Sequence, residues 1–308
     1  MKSLIIGGPT AVGKSDLACL VAKALNGEII SADSMAVYKF MDIGTAKPLE
    51  CMKEIPHYLI DIVEPGGYFD AKIFEEEAKE LIEEISGKGK VPIVVGGTYL
   101  YIQALLYGID ETQKPDWNLR EKLYRIAEKK GNEFLYEKLK IVDNKYAKKI
   151  HKNDIRRIVR ALEVFINTGK PFSSFHKWEK PKLDFVGIYL KRDTKNLYRR
   201  IEERIRDMVK KGLLEEIKKL LEMGYENFLT SGQAIDYKEF VPCVKGEKEL
   251  EECIQEAVKN TKQQAKRQIR WFRKQGWYEI NLDEVNLEEA CKKVVDIYKS
   301  SVQNNSSK

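Results

Sequence analysis

Gly8-Pro9-Thr10-Ala11-Val12-Gly13-Lys14-Ser15 fits the pattern G-x-x-x-x-G-K-[ST] and stands where that pattern has physical meaning. Ser3-Leu4-Ile5-Ile6 before it is a short apolar strand. Asp16 to Leu25 after it spaces its apolar residues as a helix does. Strand, loop and helix in this order make a phosphate cradle: backbone N–H groups and the helix dipole attract the anion, Lys14 adds a full charge, and the Ser15 hydroxyl is offered to Mg²⁺. The fold class that follows is α/β, a P-loop three-layer α/β/α core around a parallel sheet.

The next strands bring their ends to the same sheet edge. Glu28 to Ala32 reads as a strand that delivers Asp33 and Ser34 beside the cradle, where open α/β sheets bind ligands. An aspartate there either serves the phosphate site or caps a helix. His57 to Asp61 reads as a third short strand, and Asp70 precedes a helix over 71–85 whose Glu75, Glu76 and Glu77 form a solvated face. Val91 to Val95 is continuously apolar, as a buried parallel strand is, and ends in Gly96-Gly97-Thr98. The aspartate with which many nucleotide hydrolases bind Mg²⁺ is absent from that strand end, which argues against an ATPase motor or a GTPase switch. Thr98 presents its hydroxyl to the cradle or caps the helix after it.

Near Gln113 the chain turns helical and charged, and residues 113–182 read as a helical insertion into a core formed by 1–112 and 183–302. Within it a helix from about Asp154 places Arg156 and Arg160 on one face with Arg157 beside them, while Ile155, Ile158, Val159 and Leu162 form the apolar side. Phe185 to Leu190 returns the chain to the sheet. The helix after Asp193 turns Leu197, Ile201, Ile205 and Met208 inward and sets Arg200 and Arg204 on an adjoining face, with Glu202 and Glu203 near enough to neutralise them. Lys259 to Trp277 holds basic residues and no acidic one; Lys262, Lys266, Arg270, Arg273 and Lys274 share a stripe that suits a nucleic-acid backbone.

Composition sets wide bounds. The 308 residues are 43% hydrophobic with a net charge of +6, enough apolar content for a sizeable core and too little charge to name a partner. No apolar run is long enough to span a bilayer, and no cleavable signal pattern precedes the first strand, so the cytoplasm is the expected compartment. Cys19, Cys51, Cys243, Cys253 and Cys291 show no C-x-x-C pair and read as packing residues, without a disulfide framework or a zinc module. Residues 303–308 read as a disordered tail, and with no apolar helix face left unpaired the chain reads as a monomer.

Taken in order, the motifs resemble the tRNA dimethylallyltransferases (tRNA isopentenyltransferases) of bacterial type over nearly the whole chain. The resemblance rests on residues 8–15, Asp33-Ser34-Met35 with Val37-Tyr38, Met41 to Pro48, Val95 to Thr98 and Asn153-Asp154 with the arginines that follow. It continues through Leu197-Tyr198 with Arg200 and Arg204, Ala234-Ile235 with Tyr237-Lys238-Glu239, and Gln264 to Gln268 with Trp271-Phe272-Arg273. It implies transfer of a dimethylallyl group from its diphosphate to N6 of the adenosine 3′ of the anticodon in tRNAs reading codons that begin with U. Gly8 to Ser15 would then hold the diphosphate in place of a nucleotide's phosphates, with Mg²⁺ on Ser15. Asp33, Thr98, Arg200 and Arg204 would be catalytic. Asp33, Ser34, Met35, Ala36, Arg156, Arg157, Ile158, Val159, Arg160, Lys262, Lys266, Arg267, Arg270 and Arg273 would meet the tRNA. Four positions depart from the family pattern: Ala36 for glutamine, Tyr99 for glycine, Lys152 for proline and Asp236 for glycine. The alternatives are a small-molecule P-loop kinase, which leaves the basic helix without a role, and a nucleic-acid-binding protein with a regulatory nucleotide site, which leaves Asp33 and Thr98 idle.

Overall fold

The computed structural model describes residues 2–109, 115–175, 180–228 and 230–306. They form two compact units, Met1–Leu106 with Lys182–Lys308, and Tyr107–Pro181.

In the first unit the elements run β1 (Ser3–Gly7), α1 (Lys14–Leu25), β2 (Gly27–Ser31), α2 (Leu49–Met52), β3 (His57–Tyr58), α3 (Ala71–Gly87), β4 (Val91–Gly96) and α4 (Tyr99–Tyr107, ending at the start of the second unit). The second half of the sheet unit follows the 107–181 segment. All pairings in the six-stranded sheet are parallel, in the order β3-β2-β4-β1, then β5 (Phe185–Lys191) and β6 (Tyr278–Asn281). β1, β2 and β4 are buried along their whole lengths, which is why Val91 to Val95 of β4 reads as a continuous apolar run. β1 sits at the centre, with Ile6 opposite Val95 on one side and Ile188 on the other, so its loop emerges between two strand ends. That position makes Gly8 to Ser15 the floor of a crevice.

Several elements differ from the sequence reading. β3 stops at Tyr58 because Leu59 and Asp61 have positive φ (62° and 56°). Glu75 is buried on α3, where Asp70 caps the first turn, and Lys72 and Lys79 neutralise it at 3.5 and 2.5 Å. β6 is a four-residue edge strand with Tyr278 and Glu279 exposed, too short and too polar to announce itself by periodicity. Cys19 and Cys51 are joined in a disulfide across 32 residues, so those two are not mere packing residues; the fold brings α1 and α2 to a Cα–Cα distance of 6.1 Å that no local spacing encodes. Between β5 and β6 come α9 (Thr194–Lys210), α10 (Leu213–Glu222), α11 (Val241–Val244) and α12 (Leu250–Phe272), and α13 (Leu287–Ser306) follows β6. α13 carries helix through Ser306, where a tail was expected from 303; residues 307 and 308 lie outside the described residues.

The second unit contains α5 (Trp117–Lys130), α6 (Asn132–Val142), α7 (Asn144–Ala147) and α8 (Ile155–Thr168). Leu123, Leu135, Leu139, Ile158, Val159 and Leu162 are among its core residues. Glu163 is buried in it, accepting from Asp116 N (2.7 Å) and pairing with Arg120 (2.9 Å) and Arg160 (2.5 Å). Burial opposes its ionisation, yet the two guanidiniums outweigh it and hold the carboxyl below the usual range. No helix among the described residues is long and apolar enough to cross a membrane.

Candidate active site

The loop after β1 is held open by hydrogen bonds to its own carbonyls. Arg204, Arg200 and Arg192 take consecutive residues of the loop: Arg204 donates to Thr10 Oγ1 (3.3 Å), Arg200 Nε to Ala11 O (2.9 Å) and Arg192 Nε to Val12 O (3.0 Å). Ala11 sits at φ 61°, a conformation that a non-glycine residue keeps only when its surroundings hold it. Two carbonyls and one hydroxyl of the loop are thus engaged from its side-chain neighbours, and Val12 N is turned back on Pro9 O at 3.4 Å. Arg200 reaches the loop through Ala11 O and is not among the residues that line the cavity. Arg204 does line it, with Lys14, Ser15, Asp33 and Thr98.

Lys14 Nζ donates to Pro9 O at 2.7 Å. Burial, and then the charge of Arg204, lowers its ammonium to about 7 against an opposing pull from Asp33. A lysine prepared in this way is completed by the arrival of negative charge.

β2 and β4 deliver the other side chains. Asp33 Oδ1 accepts from Met35 N (2.8 Å) and Ala36 N (3.2 Å), which fixes the carboxylate at the strand end. Thr98 Oγ1 accepts from Ser34 N at 3.1 Å, linking the two strand ends. Its hydroxyl thus orients the Asp33 turn, a role that neither sequence alternative contained. A Cβ at Gly97 would lie 2.5 Å from Gln268 Nε2 and 3.2 Å from Gly8 O, so any larger residue would displace the Gln268 amide.

Gln268 was not foreseen. From α12 it accepts from Thr10 N (2.9 Å) and donates to Gly97 O (2.9 Å), bonding the phosphate loop to the end of β4. It hid in the basic stretch because its partners lie some 170 and 258 residues away. Arg192 was missed for a similar reason: its other partners, Leu282 O and Asp283, belong to the chain after β6. Asp236, one of the four departures, lines the cavity and is buried, donates its N–H to Glu239 and accepts from Thr261 Oγ1 at 2.7 Å. Burial pushes its carboxyl up to about 6, although Thr261 and Arg204 oppose the shift.

The residues expected to meet tRNA divide into several groups. Ser34, Met35 and Ala36 line the cavity with Asp33. Arg156 and Arg157 are exposed on α8, whereas Arg160 is spent largely on Glu163. Ile158 and Val159 are buried in the core of the second unit at 0% and 1% exposure, so their side chains are not presented to RNA; they are the apolar stripe of the helix itself. On α12 Lys266, Arg267 and Arg270 are exposed, and Lys262 and Lys266 lie over the Tyr198 ring at 5.3 and 5.9 Å. The helix ends at Phe272, leaving Arg273 as its C-cap and Lys274 beyond it. Trp271 and Trp277 pack on Phe272 in an aromatic cluster in which Trp271 also stacks on Tyr99. Both rings are half-buried in this cluster, so packing accounts for part of their surface.

Fold and site together define a P-loop α/β protein whose cavity at the carboxyl edge of its sheet suits a phosphorylated ligand, with the Asp33 carboxylate among its lining residues and the basic helix α12 contributing to it. The IPP transferase family model matches residues 36–275. The tRNA dimethylallyltransferase of Aquifex aeolicus is 82% identical over 98% of this chain and 99% of its own length, and that of Hydrogenobaculum is 58% identical over 88% and 92%. The crystal structure of the tRNA isopentenylpyrophosphate transferase of Bacillus halodurans aligns with a TM-score of 0.72 at 37% identity, covering 99% of this chain and 98% of that one. A eukaryotic dimethylallyltransferase captured acting on tRNA aligns with a TM-score of 0.81 at 33% identity, over 98% of this chain and 80% of that one. This chain belongs to the IPP transferase family, that of the tRNA dimethylallyltransferases.

Proposed function

We propose that the protein transfers a dimethylallyl group from dimethylallyl diphosphate to N6 of the adenosine 3′-adjacent to the anticodon in tRNAs reading codons that begin with U. The observation that carries this reading is the single cavity in which Lys14, Ser15 and Arg204 stand with Asp33 and Thr98. N6 forms a bond to C1 of the allyl group as the C1–O bond breaks, the electron pair leaves with diphosphate, and the N6 proton passes to Asp33. Negative charge grows on the leaving group where Lys14, Arg204 and the loop N–H groups converge, so they bind the transition state more tightly than the substrate. The adenine must leave its stack to reach the cavity.

Mg²⁺ suits these residues. Ser15, Asp33 and Thr98 are oxygen donors around one cavity, and the described residues have no group of three or more His, Cys, Asp or Glu placed to hold a metal ion by themselves. Diphosphate oxygens would therefore complete the ion's sphere, as substrate phosphates commonly do for Mg²⁺. Ser15 would hold the ion, which when bound would neutralise charge on the leaving diphosphate. Arg156 and Arg157 on one unit, and Lys262, Lys266, Arg267, Arg270 and Arg273 on the other, would take RNA phosphates. We read the enzyme as a cytoplasmic monomer.

The test is transfer of label from radiolabelled dimethylallyl diphosphate into unmodified tRNA, with Asp33→Ala beside the parent. Label in RNA from the parent and at least a hundredfold less from the variant is the expected result. Turnover of ATP on a small acceptor with no label in RNA would replace this reading with the kinase.

A further inference from the structure

One wall of the cavity is formed by Gly44, Thr45, Ala46, Lys47 and Pro48. Its backbone neighbourhood is under unusual constraint. Phe40, Ala46, Leu59 and Asp61 have φ of 64°, 51°, 62° and 56°, and none is glycine. Such conformations persist only where other interactions impose them.

Two opposite charges impose this one. Glu216, which α10 contributes, places its carboxylate against three successive backbone N–H groups: Asp42 N to Oε2 (3.1 Å), Ile43 N to Oε2 (2.9 Å) and Gly44 N to Oε1 (3.3 Å). Tyr237 donates its hydroxyl to Oε1 at 2.5 Å. This is the donor arrangement of a backbone anion nest, here filled from within the protein. Gly44 is enforced by the same arrangement, because a Cβ would fall 2.3 Å from the Tyr237 ring. From the other side the buried Lys47 ammonium donates to Tyr38 O (2.7 Å), Asp42 Oδ1 (2.7 Å) and Asp61 Oδ1 (2.5 Å). Asp42 belongs to both clamps, through its N–H to one and its carboxylate to the other.

The wall is continuous with the acceptor side of the site. Asp61 N donates to Ala36 O (3.1 Å) and Ile62 N to Val37 O (2.9 Å), so it is fastened to the residues that directly follow Asp33-Ser34-Met35. Lys47 is compensated by two carboxylates, so the wall presents no free cation for the diphosphate. What it can offer the substrate is shape.

On the proposed transferase reading, we propose that Glu216 is a positioning residue for the acceptor nucleoside: as an internal anion it holds residues 42–48 in the conformation that receives the unstacked base. A glutamine cannot take its place, since the amide nitrogen would set a donor against backbone donors.

The experiment measures kcat and KM for both substrates in Glu216→Gln and, separately, Tyr237→Phe, with unfolding curves for each. Glu216→Gln raises the KM for tRNA by about tenfold and leaves that for dimethylallyl diphosphate within about twofold, because hydrogen bonds to a charged group are lost on the acceptor side alone. Tyr237→Phe, which removes one donor of the four and keeps the ring against Gly44, moves the tRNA KM in the same direction by a smaller factor. An unchanged tRNA KM in a folded variant, or equal rises for both substrates, overturns the proposal. Should Glu216→Gln fail to fold, Tyr237→Phe decides by the same criterion. Failure of the transferase reading itself is separately visible, since the parent would then transfer no label.

Discussion

The phosphate loop and the wall at 42–48 are both irregular segments held in place by charged side chains, but they are held in opposite ways. Around the loop, Arg192, Arg200, Arg204 and Lys14 all reach its carbonyls or Thr10, and among the described residues only Arg192 of these has an acidic ion-pair partner, Asp283. At the wall, Lys47 meets two carboxylates, and Glu216 meets four donors. Lys14 and Arg204 make no ion pair among the described residues, although Asp33 acts on Lys14 through space, whereas Lys47 at the wall is paired with two carboxylates. The contrast locates the ionic part of the substrate without any ligand present.

The sharpest way to break the comparison is to remove the cation at the floor of the loop. Lys14→Ala should lower kcat/KM for transfer by roughly a thousandfold, the scale of losing one charged contact to a developing anion. A loss of only a few-fold would mean that the arginines alone carry the leaving group. A pH series sharpens the same point. Lys14 has its ammonium lowered to about 7 in the empty site, and a bound diphosphate raises it, so binding takes up a proton at and above neutrality. Affinity for diphosphate should therefore fall by up to about tenfold per pH unit as pH rises above 7. Calorimetry in buffers of different ionisation heat checks the proton count.

The smallest expected effect lies at Asp236, the one buried anion of this cavity without a cation in contact. Its carboxyl is raised to about 6 from 3.8, so the folded state binds the proton more tightly than the unfolded one. The sign follows: its contribution is most favourable below pH 4 and is lost as pH rises through 6. Asp236→Asn keeps an acceptor for Thr261 and removes the charge. The variant should be more stable than the parent at pH 8 by on the order of 2 kcal/mol, or a few degrees in Tm, and no more stable at pH 4. Glu239, raised by the same burial, would keep part of the pH dependence in place.

What was legible in the sequence was whatever is written locally. The glycine loop, the apolar strands on either side of it, Asp33 at one strand end and Thr98 at another are each decided by a few consecutive residues, and all of them meet in one cavity. Glu216 and Gln268 were not legible because each is an ordinary polar residue on an amphipathic helix. Its significance comes from partners more than 170 residues away, at Asp42 to Gly44 and at Gly97 and Thr10. Ile158 and Val159 show the reverse error, in which a basic motif was extended through residues whose spacing already placed them inside. Trp277 was counted with the basic track by proximity in sequence, but its ring belongs to Phe272 and Phe185.

The Cys19–Cys51 bond joins the helix that begins at Lys14 to the short helix just past the 42–48 wall. Topologically it closes a ring of backbone, and threaded on that ring are β2, Asp33 to Ala36 and every residue of the wall. Asp33 and the 42–48 wall are therefore two stations on one covalent hoop whose clasp lies just beyond the phosphate loop. A single cut anywhere in the ring would leave both pieces of the chain attached, so the hoop can be nicked without being dismantled.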